Sequence, residues 1–254
     1  TKVLAVLAIA IYSLGEHIQL GMKSTLTLEY AKPGKAGEAQ GVQRAVSQIG
    51  TLGGYLVVVL VFSLVMRNQP YRLFFIISAV LAAVSVFYTM KIKGKSETDK
   101  NAQRFYFKKK YFKYYMLELF YGARKQVFIT FGPYVLILFY GAKTEVISLL
   151  FALCALIGFF LAPLVGKLID KIGYKKIMVA DTLILVIVCA CYGFAHHILP
   201  KNIAFIVCCA NYILDAIISM ASMATNVYVK DLADNQNEVK ATLSTGVSIN
   251  HVVS

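Results

Sequence analysis

The sequence predicts an all-α fold, a polytopic transmembrane helix bundle. Of the 254 residues, 58% are hydrophobic and only 15% are charged, and the mean hydropathy is +0.66. A soluble domain has about 45–50% apolar and about 25% charged residues. The apolar residues gather in runs of about 20, the length that a helix needs to cross roughly 30 Å of hydrocarbon. Because a helix satisfies its own backbone hydrogen bonds, lipid tolerates such runs.

The predicted organisation has two helical halves separated by a Lys-rich linker. Residues 1–90 hold three spans at the end of an N-terminal half, and residues 91–113 form the linker. Residues 114–254 hold four spans of a C-terminal half and the start of a fifth. The first and last residues lie inside apolar runs, so we expect an internal piece of a longer protein, incomplete at both ends. The predicted spans are 3–30, 45–66, 73–90, 114–140, 146–165, 177–198 and 203–229, and residue 242 begins the next.

Basic residues alternate between the two sides of this predicted bundle. If the linker is cytoplasmic, the loops on its side carry 18 Lys and Arg residues, the opposite side carries 5, and 3 lie inside spans. Cytoplasmic loops carry such an excess, which predicts a cytoplasmic linker and a position in the plasma (inner) membrane. The alternating aromatic and Lys residues of 104–115 favour contact with an anionic lipid surface.

The expected partners follow from the same charges. The basic loops account for the net charge of +13, so we expect a lipid bilayer as partner and no nucleic acid. The five Cys residues lie inside apolar runs without the spacing of metal ligands, so we expect no metal and no other cofactor. The sequence has no Cys/His cluster or serine-containing elbow, so we expect no enzymatic activity, and we expect a monomer.

The segment between the fifth and sixth predicted spans carries the most specific motif, GKLIDKIGYKK. Gly166 would let two helices approach closely, and Gly173 would permit a tight reversal. Asp170 could accept hydrogen bonds from the amides of a neighbouring helix end or from basic groups. The segment resembles the cytoplasmic loop signature of the major facilitator superfamily, Gly-x-x-x-Asp-(Arg/Lys)-x-Gly-(x)-(Arg/Lys)-(Arg/Lys). The predicted gating residues are Gly166, Asp170, Lys171, Gly173, Lys175 and Lys176.

The resemblance implies a fold, a mechanism and a place for this chain in that fold. Members of the family have twelve helices in two halves of six, which rock around a central site to give alternating access. This chain would correspond to helices four to ten and the start of eleven. The antiporter signature of the family has a Gly-Pro step before paired glycines on the fifth helix. This chain has Gly50-Thr51-Leu52-Gly53-Gly54 without Pro, which argues against drug export by proton antiport.

Three spans carry charged or polar residues near their middle, where such groups are costly and usually face a cavity or a partner. In the first span Tyr12, Glu16, Gln19, Lys23 and Thr27 share one helical face, with His17 about 100° away. In the fourth span Glu118, Tyr121 and Lys125 share a face beside Arg124, and in the seventh Asn211, Asp215 and Ser222 align. By the resemblance, these are three of the helices that line the central pathway.

The predicted function is secondary active transport of a small polar or anionic solute, coupled to protons or to sodium. Arg124 and Lys125 would bind the solute or neutralise Asp215 and Glu118 in its absence. The proton or sodium carrier would be Glu16 or Asp215, and His17 could titrate in the same range. Alternatively, Glu118–Lys125 and Asp215–Arg124 are buried pairs that only fix helix packing. Two other functions stay open, a drug/proton exporter of the same fold and a non-transporting membrane receptor or scaffold.

Overall fold

A computed structural model describes residues 2–64, 71–91 and 106–252 of the chain. The described residues form helices joined by short links and contain no strand, which confirms the all-α prediction. Three short segments have other helical geometries: Lys109–Tyr111 and Ser219–Ser222 are 3₁₀ turns, and Val127–Phe131 is a π-helical turn. The helices are α1 (Lys2–Tyr30), α2 (Ala36–Leu64), α3 (Tyr71–Thr89), α4 (Phe112–Gln126), α5 (Gly132–Tyr140), α6 (Thr144–Ile172), α7 (Tyr174–Ile198), α8 (Lys201–Ile218), α9 (Met223–Leu232) and α10 (Gln236–Val252).

Three helical stretches of the described chain are long and apolar enough to cross a membrane. They are Val146–Ile172, Tyr174–Ile198 and Lys201–Leu232, and they coincide with the fifth, sixth and seventh predicted spans. A shorter apolar helix, Phe75–Thr89, lies in the third predicted span. The other predicted spans are more polar or lie partly outside the described residues, so the count of seven stays a prediction.

Several predicted loops are helical instead. The α2 helix begins at Ala36 and α10 begins at Gln236, both ahead of the predicted starts. The expected loop of the GKLIDKIGYKK motif is also helix as far as Ile172, so only Gly173, with φ +90°, separates α6 from α7. Hydropathy locates the apolar part of a helix and misses polar turns that continue it beyond the hydrocarbon.

The α2 and α6 helices pack against each other through small residues. A Cβ atom added to Gly37 would overlap the backbone oxygen of Gly166, and one added to Gly41 would overlap the backbone oxygen of Ala162. Residues with higher numbers on α2 face residues with lower numbers on α6, so the two helices run antiparallel. This close approach confirms the expectation that Gly166 lets two helices approach. It joins α2, which precedes the predicted linker, to α6, which follows it; we call α1–α3 and α4–α10 the two halves.

The contact between α2 and α6 begins at the end of the bundle where the α1–α2, α6–α7 and α9–α10 links lie. We call this end the basic end, because the Lys-rich segments lie there. The contact reaches at least the middle of α6, where a Cβ atom added to Gly158 would lie 3.2 Å from Nε2 of Gln48. Towards the other end of α2, a Cβ atom added to Gly50, Gly53 or Gly54 would have no described neighbour within 4 Å. At the basic end the two halves are in close contact.

Glu238 anchors the described end of the linker to the α9–α10 link. Its carboxylate, with a side chain only 3% exposed, accepts hydrogen bonds from the Tyr106 hydroxyl at 2.5 Å, Lys110 Nζ at 2.9 Å and Lys108 Nζ at 3.0 Å. The backbone N–H of Asp234 donates a fourth at 2.8 Å. Burial opposes the charge on Glu238, but these hydrogen bonds outweigh it and hold the pKa of Glu238 below its usual range.

The aromatic residues at this end of the linker lie in the protein core. Tyr111, Tyr114 and Tyr115 are all buried, and they pack in the largest buried cluster together with residues of α9 and α10. The expectation that this segment rests on a lipid surface is therefore wrong for these three rings. Lys108 and Lys110, just before these rings, have the carboxylate partners Glu238 and Asp234, which the sequence pattern alone did not indicate.

Substituting Gly41 by Ala tests the α2–α6 contact with a single methyl group. We expect Gly41→Ala to destabilise the protein by about 1–3 kcal/mol, since the new Cβ must displace backbone. The matched control Gly53→Ala, in open space on the same helix, should stabilise it by up to about 1 kcal/mol through helix propensity. The measurement is the unfolding temperature in detergent, and equal effects of the two substitutions would refute the contact.

Substituting Glu238 by Gln should cost about 2 kcal/mol at neutral pH, because charge-assisted hydrogen bonds are lost. A carboxyl group whose pKa is lowered by folding stabilises the protein above its unfolded pKa, about 4.3, and loses this contribution as the pH falls towards the folded pKa. The difference between wild type and Glu238→Gln should thus be largest above about pH 5 and shrink below about pH 4. The control Asp234→Asn removes only the exposed partner of Lys110 and should change little. A difference independent of pH would contradict this account.

Candidate functional site

A cavity of about 590 Å³ lies where the two halves meet. Its charged lining residues come from both halves, with Arg44 on α2 and Arg124, Lys125 and Asp215 on α4 and α8. Serine hydroxyls of the 3₁₀ turn 219–222, the amide of Asn250 and several apolar and aromatic side chains complete the wall. The remaining lining residues are Leu20, Tyr121, Phe128, Ile129, Cys154, Tyr212, Ala216, Ser219 and Ser222.

Arg124 is held between two aspartates from two other helices. Its Nη1 donates to Oδ1 of Asp181 on α7 at 2.7 Å, and its Nη2 donates to Oδ1 of Asp215 on α8 at 2.8 Å. All three side chains are almost fully buried, and the Tyr121 hydroxyl donates to the second oxygen of Asp181 at 2.9 Å. We call Arg124, Asp181 and Asp215 the charge triad. The expected Asp215–Arg124 pair is confirmed, and the triad ties α4, α7 and α8 together.

Asp181 is the member of the triad that the sequence reasoning missed. It lies near the start of the sixth predicted span, whose apolar sequence predicts no part of the pathway. The structure buries it on α7. A usable signal was present, since Asp181 is the one acidic residue of that span and a charged group inside an apolar span usually faces a partner.

Two cations of the cavity wall have no carboxylate partner among the described residues. Arg44 donates only to the hydroxyls of Ser219 and Ser222, each at 3.4 Å, which is long for a hydrogen bond. Lys125 is exposed to the cavity and forms no described ion pair. Arg44 was also missed by the sequence reasoning, which placed it in a loop because it precedes the apolar part of α2.

Glu118 lines a smaller cavity of about 230 Å³ next to the first, and both cavities share Lys125 and Asn250 in their walls. Its carboxylate accepts hydrogen bonds from the Thr225 hydroxyl at 2.9 Å and from Nδ2 of Asn250 at 3.3 Å. Neither donor is charged. The expected Glu118–Lys125 pair is therefore wrong, and Glu118 faces α9 and α10 instead.

The remaining predicted pathway residues lie apart from the cavity. Glu16 and Gln19 are exposed on α1, and Lys23 donates to the hydroxyl of Ser47 on α2. Asn211 is buried on α8, and its Nδ2 has no hydrogen-bond partner in the described part of the chain. The side chain of His17 lies outside the described residues. Among the described residues, no member of the predicted polar face of α1 lines the cavity. The described residue of α1 that lines it is Leu20.

The predicted gating residues lie at the basic end of the bundle. One of them, Asp170, connects α6 to α2. The carboxylate of Asp170 accepts hydrogen bonds from the backbone N–H groups of Gly37 and Glu38, at 2.7 Å each. These amides belong to the first turn of α2, where unpaired N–H groups and the helix dipole favour an anion. The expectation that Asp170 bonds helix-end amides is confirmed. Lys171, Lys175 and Lys176 are exposed.

A groove of about 430 Å³ between α1 and α10 is a weaker candidate for a polar solute. It is largely apolar, and Lys240 is the charged residue of its described lining. That lysine lies 3.3 Å from the carboxylate of Glu29, so its charge is already matched. We therefore place the candidate site in the cavity between the halves.

The fold and this cavity define a polytopic helical membrane protein with a polar chamber between two helical halves. The family model of the Major Facilitator Superfamily matches residues 2–253, and the chain belongs to that superfamily. It is therefore an integral membrane protein of a family of transporters that carry small molecules across membranes. Searches of individual curated proteins and of solved structures give no significant match.

The charge triad and the free cation beside it should respond differently to truncation. Arg124→Ala leaves two buried carboxylates facing each other without a counter-charge, which should cost about 3–5 kcal/mol. The neighbouring Lys125→Ala removes an exposed cation without a partner and should change stability by less than about 0.5 kcal/mol. Unfolding temperatures in detergent report both effects, and a milder loss in Arg124→Ala than in Lys125→Ala would contradict the triad.

Proposed function

We propose that this chain is part of a secondary active transporter that moves a small polar or anionic solute by alternating access, driven by protons. The observation that carries the proposal is the charged cavity between the two halves, with one end of the bundle closed. A cavity of about 590 Å³ is large enough for a small metabolite. Its charged wall favours a polar or anionic solute over a purely apolar one.

The distribution of contacts between the halves supports alternating access. At the basic end, Asp170 bonds the start of α2, and Asn226 on α9 donates to Ser24 on α1 at 3.4 Å. Lys240 on α10 adds an ion pair with Glu29 on α1. This geometry fits a state closed at the basic end, which rocking of the halves would reopen.

Glu118 is the best-placed proton carrier. It lies beside the cavity, and the donors to its carboxylate among the described residues, Thr225 and Asn250, are neutral. An unpaired charge in a membrane protein is costly, and a carboxyl group escapes that cost by binding a proton. Asp215, by contrast, is paired with Arg124, and Glu16 lies away from the cavity. We therefore assign the coupling role to Glu118 in place of these two residues.

Transport in proteoliposomes with labelled sugars, amino acids and organic anions tests the proposal. The natural full-length protein should accumulate at least one of these solutes against its gradient when an inward proton gradient is imposed. Glu118→Gln should abolish this accumulation and retain exchange of labelled for unlabelled solute, because exchange needs no net proton movement. The control Asp234→Asn, an exposed carboxylate at the basic end, should behave as wild type.

Three outcomes would contradict the proposal. The absence of flux for every solute, with and without a gradient, would favour a receptor or scaffold. Accumulation driven by a sodium gradient alone would refute proton coupling. Proton-driven accumulation that survives in Glu118→Gln would refute the assignment of the carrier.

A further inference from the structure

We propose that the transported solute is a monoanion bound between Arg44 and Lys125, and that it crosses together with one proton on Glu118 as an electrically neutral pair. This inference rests on the proposed function and names the class of its solute. It follows from the charges that line the two adjoining cavities, together with the groups paired to them.

The charge triad has no positive charge to offer to a solute. Arg124 is fully engaged, with hydrogen bonds to Asp215 at 2.8 and 3.2 Å and to Asp181 at 2.7 Å. Two carboxylates against one guanidinium leave the triad with an excess of one negative charge. An anionic solute would therefore be repelled by the triad and must be bound elsewhere in the cavity.

Arg44 and Lys125 are the groups that can bind an anion. They line the same cavity from opposite halves, Arg44 on α2 and Lys125 on α4. Within the described part of the chain, Arg44 donates two long hydrogen bonds to serine hydroxyls and no others. A carboxylate would readily replace them with shorter, charge-assisted ones. An anion bound between these two side chains would contact both halves, and its binding would therefore affect the position of one half relative to the other.

The total charge selects the number of negative charges on the solute. Arg44, Arg124 and Lys125 are balanced by Asp181, Asp215 and Glu118 when all six are ionised. His251 and the phenols of Tyr114 and Tyr121, which line the smaller cavity, are counted as neutral. The empty cavity is then neutral among the described residues.

Binding either partner alone would leave a net charge inside the bundle. A proton on Glu118 leaves one positive charge in excess, and an anion by itself leaves one negative charge in excess. Because uncompensated charge inside a membrane protein is costly, both partly loaded states are disfavoured. The empty state and the state with one proton and one monoanion are both neutral, so these two states would reorient. A neutral solute or a dianion would leave the proton-loaded cavity charged.

Two charge series with matched carbon frames test the class of solute. Glycerol, glycerate and tartronate carry zero, one and two negative charges, as do sorbitol, gluconate and glucarate. With the full-length protein in detergent, we expect glycerate or gluconate to raise the unfolding temperature more than the other members of its series. Arg44→Gln and Lys125→Gln should each weaken this binding about tenfold or more, the loss of one charge-assisted hydrogen bond. The exposed Lys143→Gln should bind as wild type.

The electrical neutrality of the pair is tested with the anion that binds. Its uptake into proteoliposomes should follow an inward proton gradient and should not respond to a potassium diffusion potential. The inference would be overturned by preferential binding of the neutral or doubly charged members, or by no binding of any member. Uptake that follows the membrane potential would also overturn it. Proton-driven transport of a neutral solute would overturn it while leaving the proposed function standing, whereas the absence of all flux would remove both.

Discussion

The bundle depends on the neutralisation of Arg124 by Asp181 and Asp215. A guanidinium about three turns into a helix cannot reach water by extending along the surface, so it remains charged only where counter-charges meet it. Here they come from α7 and α8, and the three helices are thereby held in one arrangement. A buried charge network of this kind specifies position more than it adds stability, since the gain of pairing is offset by desolvation. With Arg124 engaged, the free positive charge of the cavity belongs to Arg44 and Lys125.

The second constraint is the contact of small residues between α2 and α6. Gly37 and Gly166 bring two backbones together, which in a membrane yields dispersion contacts that bulky side chains would prevent. Asp170 adds two hydrogen bonds at the helix start, where the dipole of α2 reinforces them. Both interactions lie at the basic end, and both hold the two halves together there.

Much of the fold and part of the site could be predicted from the sequence. Long apolar runs indicated an all-α membrane protein, and the motif around Asp170 indicated both the superfamily and a bond to helix-end amides. The Arg124–Asp215 pair followed from two charges near the middle of their spans. Asp181 and Arg44 were missed for a common reason: hydropathy treats a charged residue near the end of an apolar run as exposed. Pairing across helices depends on packing and rotation, which the periodicity of one helix does not determine. For the same reason the partner of Glu118 was predicted as Lys125, whereas Thr225 and Asn250 occupy its face.

The account is tested most directly by a double-mutant cycle on the charge triad. Arg124→Gln, Asp215→Asn and the double variant are compared with wild type by the free energy of unfolding in detergent. If Arg124 is engaged by Asp215, the two substitutions should be coupled by about 1–3 kcal/mol, with the double variant less destabilised than the sum of the single ones. Strictly additive effects would show that Arg124 does not bind Asp215, and the assignment of the free charges to Arg44 and Lys125 would then be wrong.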